Sequence, residues 1–273
     1  MSNSLVYHIS FPKLNIFLEI CPIALFFKSI CIYWYGIILS FAFLAGCLYV
    51  SKNSKKFKLS ANDVSDFVTI ASFCAIVCAR VYYVIFYPGD FYKNHPEKIF
   101  MISEGGIAIY GAIIGGIFGV WLMCKIKSKS LLSILDLMAP GVVIGQAIGR
   151  WGNFVNQEAF GTPTTLPWGM SSENTSFITV HPCFLYESLG CLLIFLILDF
   201  CNSKMNLKKG TVFFIYTGLY GFLRAFIENL RTDSLMIPYT QMKISQALAI
   251  FLFVFSIFSI IFIYKRKKSL ANS

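Results

Sequence analysis

Residues 244–264 read ISQALAIFLFVFSIFSIIFIY, twenty-one positions without one charged side chain. As an α-helix this run would be about 32 Å long, and about 20 mostly apolar residues are what a helix needs to cross the hydrocarbon core of a bilayer. It stops at Lys265-Arg266-Lys267-Lys268. A long apolar helix that ends in a block of cations is the pattern of a membrane span emerging into water.

Comparable stretches precede it at roughly 31–51, 65–87, 105–125, 130–149, 183–201 and 211–229. The whole chain of 273 residues is 57% hydrophobic and 13% charged, about half the charged share of a soluble domain. A soluble fold would have to show much of that apolar surface to water. Disorder is excluded too, because disordered chains are poor in apolar and aromatic residues. The class implied is an all-α polytopic membrane protein with about seven transmembrane helices. No secretory leader is expected, since a basic n-region and a small-residue cleavage site are missing.

Net charge is +10, from 23 Lys and Arg against 13 Asp and Glu. Most of the basic residues gather in four clusters: Lys52, Lys55, Lys56 and Lys58; Lys125, Lys127 and Lys129; Lys204, Lys208 and Lys209; and Lys265 to Lys268. These follow the first, third, fifth and seventh spans, so all fall on one side. By the positive-inside rule that side is cytoplasmic, with the N-terminus outside and the C-terminus inside. The charge is a topology signal, and no nucleic-acid partner is expected. The domain reading is an N-terminal interfacial arm over 1–30, a seven-helix transmembrane domain over 31–264 and a basic cytoplasmic tail over 265–273. Residues 14–27 are apolar but interrupted by Glu19 and Pro22 and flanked by Pro12 and Lys28, which suggests an interfacial arm or half-helix. The nine cysteines lie mostly in or beside apolar runs, where a free Cys acts as a small hydrophobe. Cys74 and Cys78 share a helix face, yet no nearby His or carboxylate completes a zinc set.

Arginine is distributed differently from lysine. Of five arginines, only Arg266 joins a basic cluster, while Arg80, Arg150, Arg224 and Arg231 lie within or at the outer ends of apolar spans. An ionisable group at membrane depth costs at least about 2.5 kcal/mol and signals function by default. A guanidinium offers a planar fork that fits phosphate oxygens, which an ammonium does not. The competing reading is structural ion pairing, for instance Arg224 with Glu228. In the sixth span Tyr220, Arg224, Glu228 and Arg231 fall within an arc of about 80°, a polar stripe that must face the bundle interior or a wet cavity.

The segment Gly149–Gly161, GRWGNFVNQEAFG, stands where the fourth span ends. Its glycines suggest a tight turn with close backbone approach to a ligand. Arg150 offers a phosphate fork, Asn153 and Asn156 donate and accept, and Glu158 can orient them. The alternative is a polar loop with a snorkelling Arg150. Two glycine ladders, Gly111, Gly115, Gly119 and Gly141, Gly145, Gly149, suit close helix packing. Tyr35, Asp136, and His181-Pro182 with Tyr186-Glu187 are further polar placements, none decisive alone. Glu104, before Gly105-Gly106, reads as a span-end carboxylate.

These residues resemble the prolipoprotein diacylglyceryl transferase family. The Gly149–Gly161 run is similar to that family's signature through its full length. Tyr33 to Gly36, Glu104 to Ile107 with Gly111, Asp136 to Pro140, His181-Pro182 with Leu185 to Glu187, and Tyr220-Gly221 with Arg224, Glu228 and Arg231 add to it. The resemblance implies an enzyme that moves the diacylglyceryl group of phosphatidylglycerol onto the lipobox cysteine of a prolipoprotein. A thioether forms and glycerol phosphate leaves, at the outer face of the bacterial cytoplasmic membrane and without metal or other cofactor. It places Arg150, Asn153, Glu158, Tyr35, Glu228 and Arg231 around phosphatidylglycerol, and Arg224, Tyr220 and Tyr110 at the chemistry. Many relatives carry a His at the position of Tyr110, where it is proposed as the thiol's base. Tyr, with a pKa near about 10, is a poor base at neutral pH. That leaves a hydrogen-bonding Tyr110, a carboxylate or water as proton acceptor, or an arginine field that yields enough thiolate. The alternative function is an anionic phospholipid carrier or flippase that performs no covalent chemistry.

Overall fold

A computed structural model describes residues 6–27, 30–102, 105–232 and 243–271. Lys28, Glu104 and residues 233–242 of the long polar connection after the sixth span lie outside the described residues. The chain forms two units, Met1–Tyr49 with Met138–Ser273, and Val50–Leu137. Its strands are β1 (Tyr7–Phe11), β2 (Ile16–Ile20), β3 (Ile23–Phe27) and β4 (Ile30–Tyr33). Its helices are α1 (Trp34–Asn53), α2 (Ala61–Ile85), α3 (Phe91–Asn94), α4 (Ile109–Ile126), α5 (Leu131–Asn156), α6 (Cys183–Lys204), α7 (Thr211–Leu230) and α8 (Ile244–Ala271). Among the described residues six helices are long and apolar enough to cross a membrane: α1, α2, α4, α5, α6 and α8. The seventh expected span, α7, is a 20-residue helix that stands outside that group, because its polar stripe dilutes its apolar residues.

In the unit Val50–Leu137, α2 packs on α4 through the first glycine ladder. A Cβ added to Gly119 would come within 2.8 Å of Ala71 Cα, and at Gly111 and Gly115 it would collide with the Cys78 and Cys74 carbonyls. Only hydrogen fits there. α2 opens on a capping box in which the Ser60 hydroxyl accepts from the Asp63 amide at 3.1 Å and Asp63 Oδ2 accepts from the Ser60 amide at 3.0 Å.

In the other unit, α1 crosses α5 on the second ladder. A Cβ on Gly46 would sit 2.7 Å from the Gly141 carbonyl oxygen, and one on Gly145 would sit 3.2 Å from that of Ala42. Ala139, Val143 and Ala147 of α5 form a core with Cys191, Ile194 and Leu198 of α6 and Val212 of α7. α8 closes on α7, where a Cβ at Gly221 would meet the Ala249 carbonyl oxygen at 2.7 Å.

The N-terminal arm corrects the half-helix expected over 14–27. β1 pairs antiparallel with β2 from Tyr7↔Ile20 to Phe11↔Ile16, and β3 pairs with β4 from Ile23↔Tyr33 to Phe27↔Ile30. Pro12 and Pro22 cannot donate to a helix ladder. Asn15 takes the left-handed conformation (φ 52°) that closes the first hairpin. β1 then receives the long α5–α6 connection: the Ser10 and Ser171 amides exchange hydrogen bonds with each other's carbonyls at 2.9 and 2.8 Å. Ile9 is buried against Phe154, Met170 and Phe184. Both oxygens of Glu173 accept from the His8 amide at 2.9 Å. Burial works against its charge, but those bonds and the His8 ring hold the Glu173 carboxyl below the usual carboxylate range.

Candidate active site

The Gly149–Gly161 segment does not turn at its first glycines, as its sequence suggests. α5 continues as helix to Asn156, and the chain reverses only at Gln157 and Ala159, with φ of 50° and 58°. Gly152 serves contact instead. A Cβ there would lie 2.7 Å from Cδ2 of the Tyr35 ring, so the bare backbone lets the first turn of α1 press onto α5. Tyr35 is thereby brought within electrostatic reach of Glu158 and Arg150.

Because α5 stays helical, Arg150 projects from a rigid element toward α6 and α7. Its Nη2 pairs with Glu187 Oε1 at 2.6 Å. Its Nη1 donates to Asn153 Oδ1 at 3.2 Å, and Asn153 Nδ2 donates to Glu158 Oε1 at 2.8 Å. The polar stripe of α7 supplies the opposite wall. Arg224 Nη1 pairs with Glu187 Oε2 at 3.0 Å, its Nη2 with Glu228 Oε2 at 2.5 Å, and the Tyr220 hydroxyl donates to Glu187 Oε1 at 3.0 Å. Both guanidinium groups therefore close on one carboxylate. Glu187 is 2% exposed, as is Glu228. Stripping such a buried pair of one partner costs about 3–5 kcal/mol, so each member holds the next in place.

Glu187 was not among the expected binding or catalytic residues, although it is the centre of the cluster. Its sequence signals were a carboxylate just inside an apolar run and a place in the His181–Glu187 segment that resembles the family, neither of which gave it a role. Its partners sit 37 positions away on both sides of the chain, so no local spacing reveals them. Arg231 stands at the end of α7, where its residue bridges to Gly161 and its carbonyl accepts from Lys243 Nζ at 2.6 Å. Tyr110 belongs to the unit Val50–Leu137, on the first turn of α4, with its ring centroid 6.3 Å from that of Tyr82.

Arg80 departs from the phosphate reading. Within its own unit its guanidinium donates only to backbone among its described bonds: Ile99 O at 2.8 Å, Lys98 O at 2.6 Å, Gly105 O at 2.7 Å, Gly106 O at 2.8 Å and Met101 O at 3.3 Å. It ties the α3–α4 connection to α2, which is the structural alternative to anion binding.

Residues 22–262 match the family described as "Prolipoprotein diacylglyceryl transferase". The chain belongs to the prolipoprotein diacylglyceryl transferase family. A phosphatidylglycerol–prolipoprotein diacylglyceryl transferase of Finegoldia magna is 43% identical over 219 residues, covering 80% of this chain and 86% of its own. One from Trichormus variabilis is 38% identical over 273 residues, with 96% of both chains covered, and one from Oceanobacillus iheyensis is 40% identical over 272 residues, with 95% and 91% covered. As a member of this transferase family the chain is an enzyme embedded in a membrane by several helices. The carrier reading finds no support in these matches.

Proposed function

We propose that this transferase takes the diacylglyceryl group from phosphatidylglycerol and joins it to the lipobox cysteine thiol of a prolipoprotein at the cluster around Glu187. The observation that carries this reading is the convergence of Arg150 and Arg224 on a single carboxylate. Carboxylate and phosphate offer the same pair of oxygens to a guanidinium fork, so two forks that meet on Glu187 are spaced to meet on a phosphodiester. An apolar groove of about 360 Å³ in the same unit is lined by Ile38 and Phe41 of α1, Ile144 and Trp151 of α5 and Ser188 and Leu192 of α6. Its residues Trp151 and Ser188 directly follow Arg150 and Glu187 in the chain, and this groove is assigned to an acyl chain.

The chemistry follows from the residue types. Thioether formation needs a thiolate, and a free Cys has a pKa near about 8.5. It also expels a phosphate whose growing charge must be met by fixed donors. Arg150 and Arg224 meet that charge, Tyr220 steadies the carboxylate between them, and Asn153, Glu158 and Tyr35 orient Arg150. Glu228 holds Arg224 from its own helix, and Arg231 flanks the exit of α7. Tyr110, a phenol where many relatives carry a His, is a poor base and is not assigned the thiol's proton. The enzyme spans the bacterial cytoplasmic membrane with seven helices, α7 included, and works toward the outer leaflet. The test is incubation of the purified protein with phosphatidylglycerol and a lipobox peptide, followed by mass spectrometry. A gain of one diacylglyceryl unit on the peptide is expected, and an unmodified peptide under saturating lipid would overturn the reading.

A further inference from the structure

The directly paired charges cancel: Arg150 and Arg224 stand against Glu187 and Glu228, while the exposed Glu158 reaches Arg150 only through Asn153. A phosphodiester adds one negative charge and needs a fork that Glu187 already holds. Arg150 is the fork that can change partner. If Glu187 releases it, the carboxylate keeps Arg224 Nη1 at 3.0 Å and the Tyr220 hydroxyl at 3.0 Å. Arg224 is less exchangeable, since its other nitrogen is bound to Glu228 one turn along the same helix. The headgroup thus takes Arg150 by displacing Glu187, and Oε1 of Glu187 is left with Tyr220 as its remaining donor. A buried carboxylate that loses a cationic partner becomes a stronger base.

Charge then decides where the thiol's proton goes. With the phosphodiester bound, the groups in direct contact are two positive and three negative. Sending the proton to water would add a further negative charge at low dielectric, where repulsion is strong. Passing it to Glu187 leaves the total unchanged. Resting on the function proposed above, we infer that Glu187 is the acceptor of the thiol proton, and that it becomes available only once the lipid headgroup has displaced it from Arg150. The S–H bond breaks as an O–H bond forms on Glu187. Sulfur's electron pair forms the bond to the glyceryl carbon, and the pair of the broken C–O bond stays on the phosphate oxygen beside the arginines. The proton passes from Glu187 to the departing phosphate, and the carboxylate returns to Arg150. The groups facing Glu187 are Arg150 of α5, Cys191 on its own helix, and Tyr220 and Arg224 of α7 with Glu228 behind them.

Full-length wild type, Glu187→Gln and Glu187→Asp are compared for phosphatidylglycerol binding and for transfer to a lipobox peptide across pH 6–9, a window around the thiol's own pKa of about 8.5. Glu187→Gln keeps the size and accepts from Tyr220 and Arg224, but takes no proton. It is expected to bind phosphatidylglycerol at least as tightly as wild type while transferring at least about 100-fold more slowly. Its residual rate should climb about tenfold per pH unit below the thiol pKa, as solvent ionises the peptide, whereas the wild-type rate stays nearly level. Glu187→Asp restores the level profile. Wild-type transfer by Glu187→Gln overturns the inference, and so does loss of lipid binding in step with loss of transfer in both variants. A wild type that yields no adduct overturns the proposed function, and this inference with it.

Discussion

Arg80, Arg150 and Arg224 are the same residue in similar apolar surroundings, and their partners separate their roles. Arg80 points its donors at main-chain carbonyls within its unit. Those acceptors are covalently fixed and cannot be exchanged for a ligand without unfolding a loop. Arg150 and Arg224 hold side-chain carboxylates, which a phosphate can replace oxygen for oxygen. A lysine at 224 would offer a point charge that reaches Glu187 or Glu228 but not both in the plane of a fork. Losing one charge-assisted bond of about 1.5–3 kcal/mol corresponds to a fall of about 10- to 100-fold in transfer rate. Arg224→Lys is therefore expected to retain at most a tenth of wild-type turnover in the peptide assay, and near-normal turnover would mean that net charge alone suffices. The pairing of Arg224 with Glu228 was legible because both lie on one helix face four residues apart. The pairing of either arginine with Glu187 was not, since it depends on which helices pack together. Arg80 misled for the same reason, its acceptors being carbonyls that carry no side-chain signature.

At the scale of elements, the glycines of α5 show how one residue type serves different geometry. Read in sequence, Gly149 and Gly152 suggest a turn, yet both are helical, and the left-handed positions fall to Gln157 and Ala159. What Gly152 provides is closeness to Tyr35, while a Cβ on Gly149 would make an ordinary 3.5 Å contact with Leu39. Gly149→Ala should then fold and transfer normally, helped by the better helix propensity of Ala. Gly152→Leu must push the Tyr35 ring away from α5. Overpacking of this kind costs about 1–3 kcal/mol, so a lower thermal midpoint and at least about a tenfold loss of transfer are expected. Equal behaviour of the two variants would show that the Tyr35 contact is incidental. The helices themselves were legible within a few residues at most ends, since each apolar run has one way to satisfy its backbone in lipid. The arm over 7–33 was not, because short apolar runs between prolines suit strand and half-helix alike. Its strands emerge only with pairing partners such as Ser171, far along the chain.

For the whole molecule, the arrangement of lysines makes a claim that its internal contacts leave open, namely which end of the bundle faces which side of the membrane. Lys204 ends α6 opposite to Glu187, Lys208 and Lys209 follow it, and the described bonds of Lys208 Nζ run to the Ile263 and Tyr264 carbonyls near the charged end of α8. The loop that joins the other ends, 157–182, contains no lysine or arginine at all. Membrane insertion retains short lysine-rich loops on the cytoplasmic side, so the loop 157–182 is predicted to lie outside, where a secreted substrate would arrive. Single cysteines at two exposed positions, Thr165→Cys and Lys209→Cys, test this in intact cells with a membrane-impermeant maleimide, the unsubstituted protein giving the background of its own cysteines. Thr165→Cys is expected to label at once and Lys209→Cys only after the membrane is permeabilised. The opposite pattern would put the cluster on the cytoplasmic side, and the thiol acceptor would then have to be modified before export rather than after it.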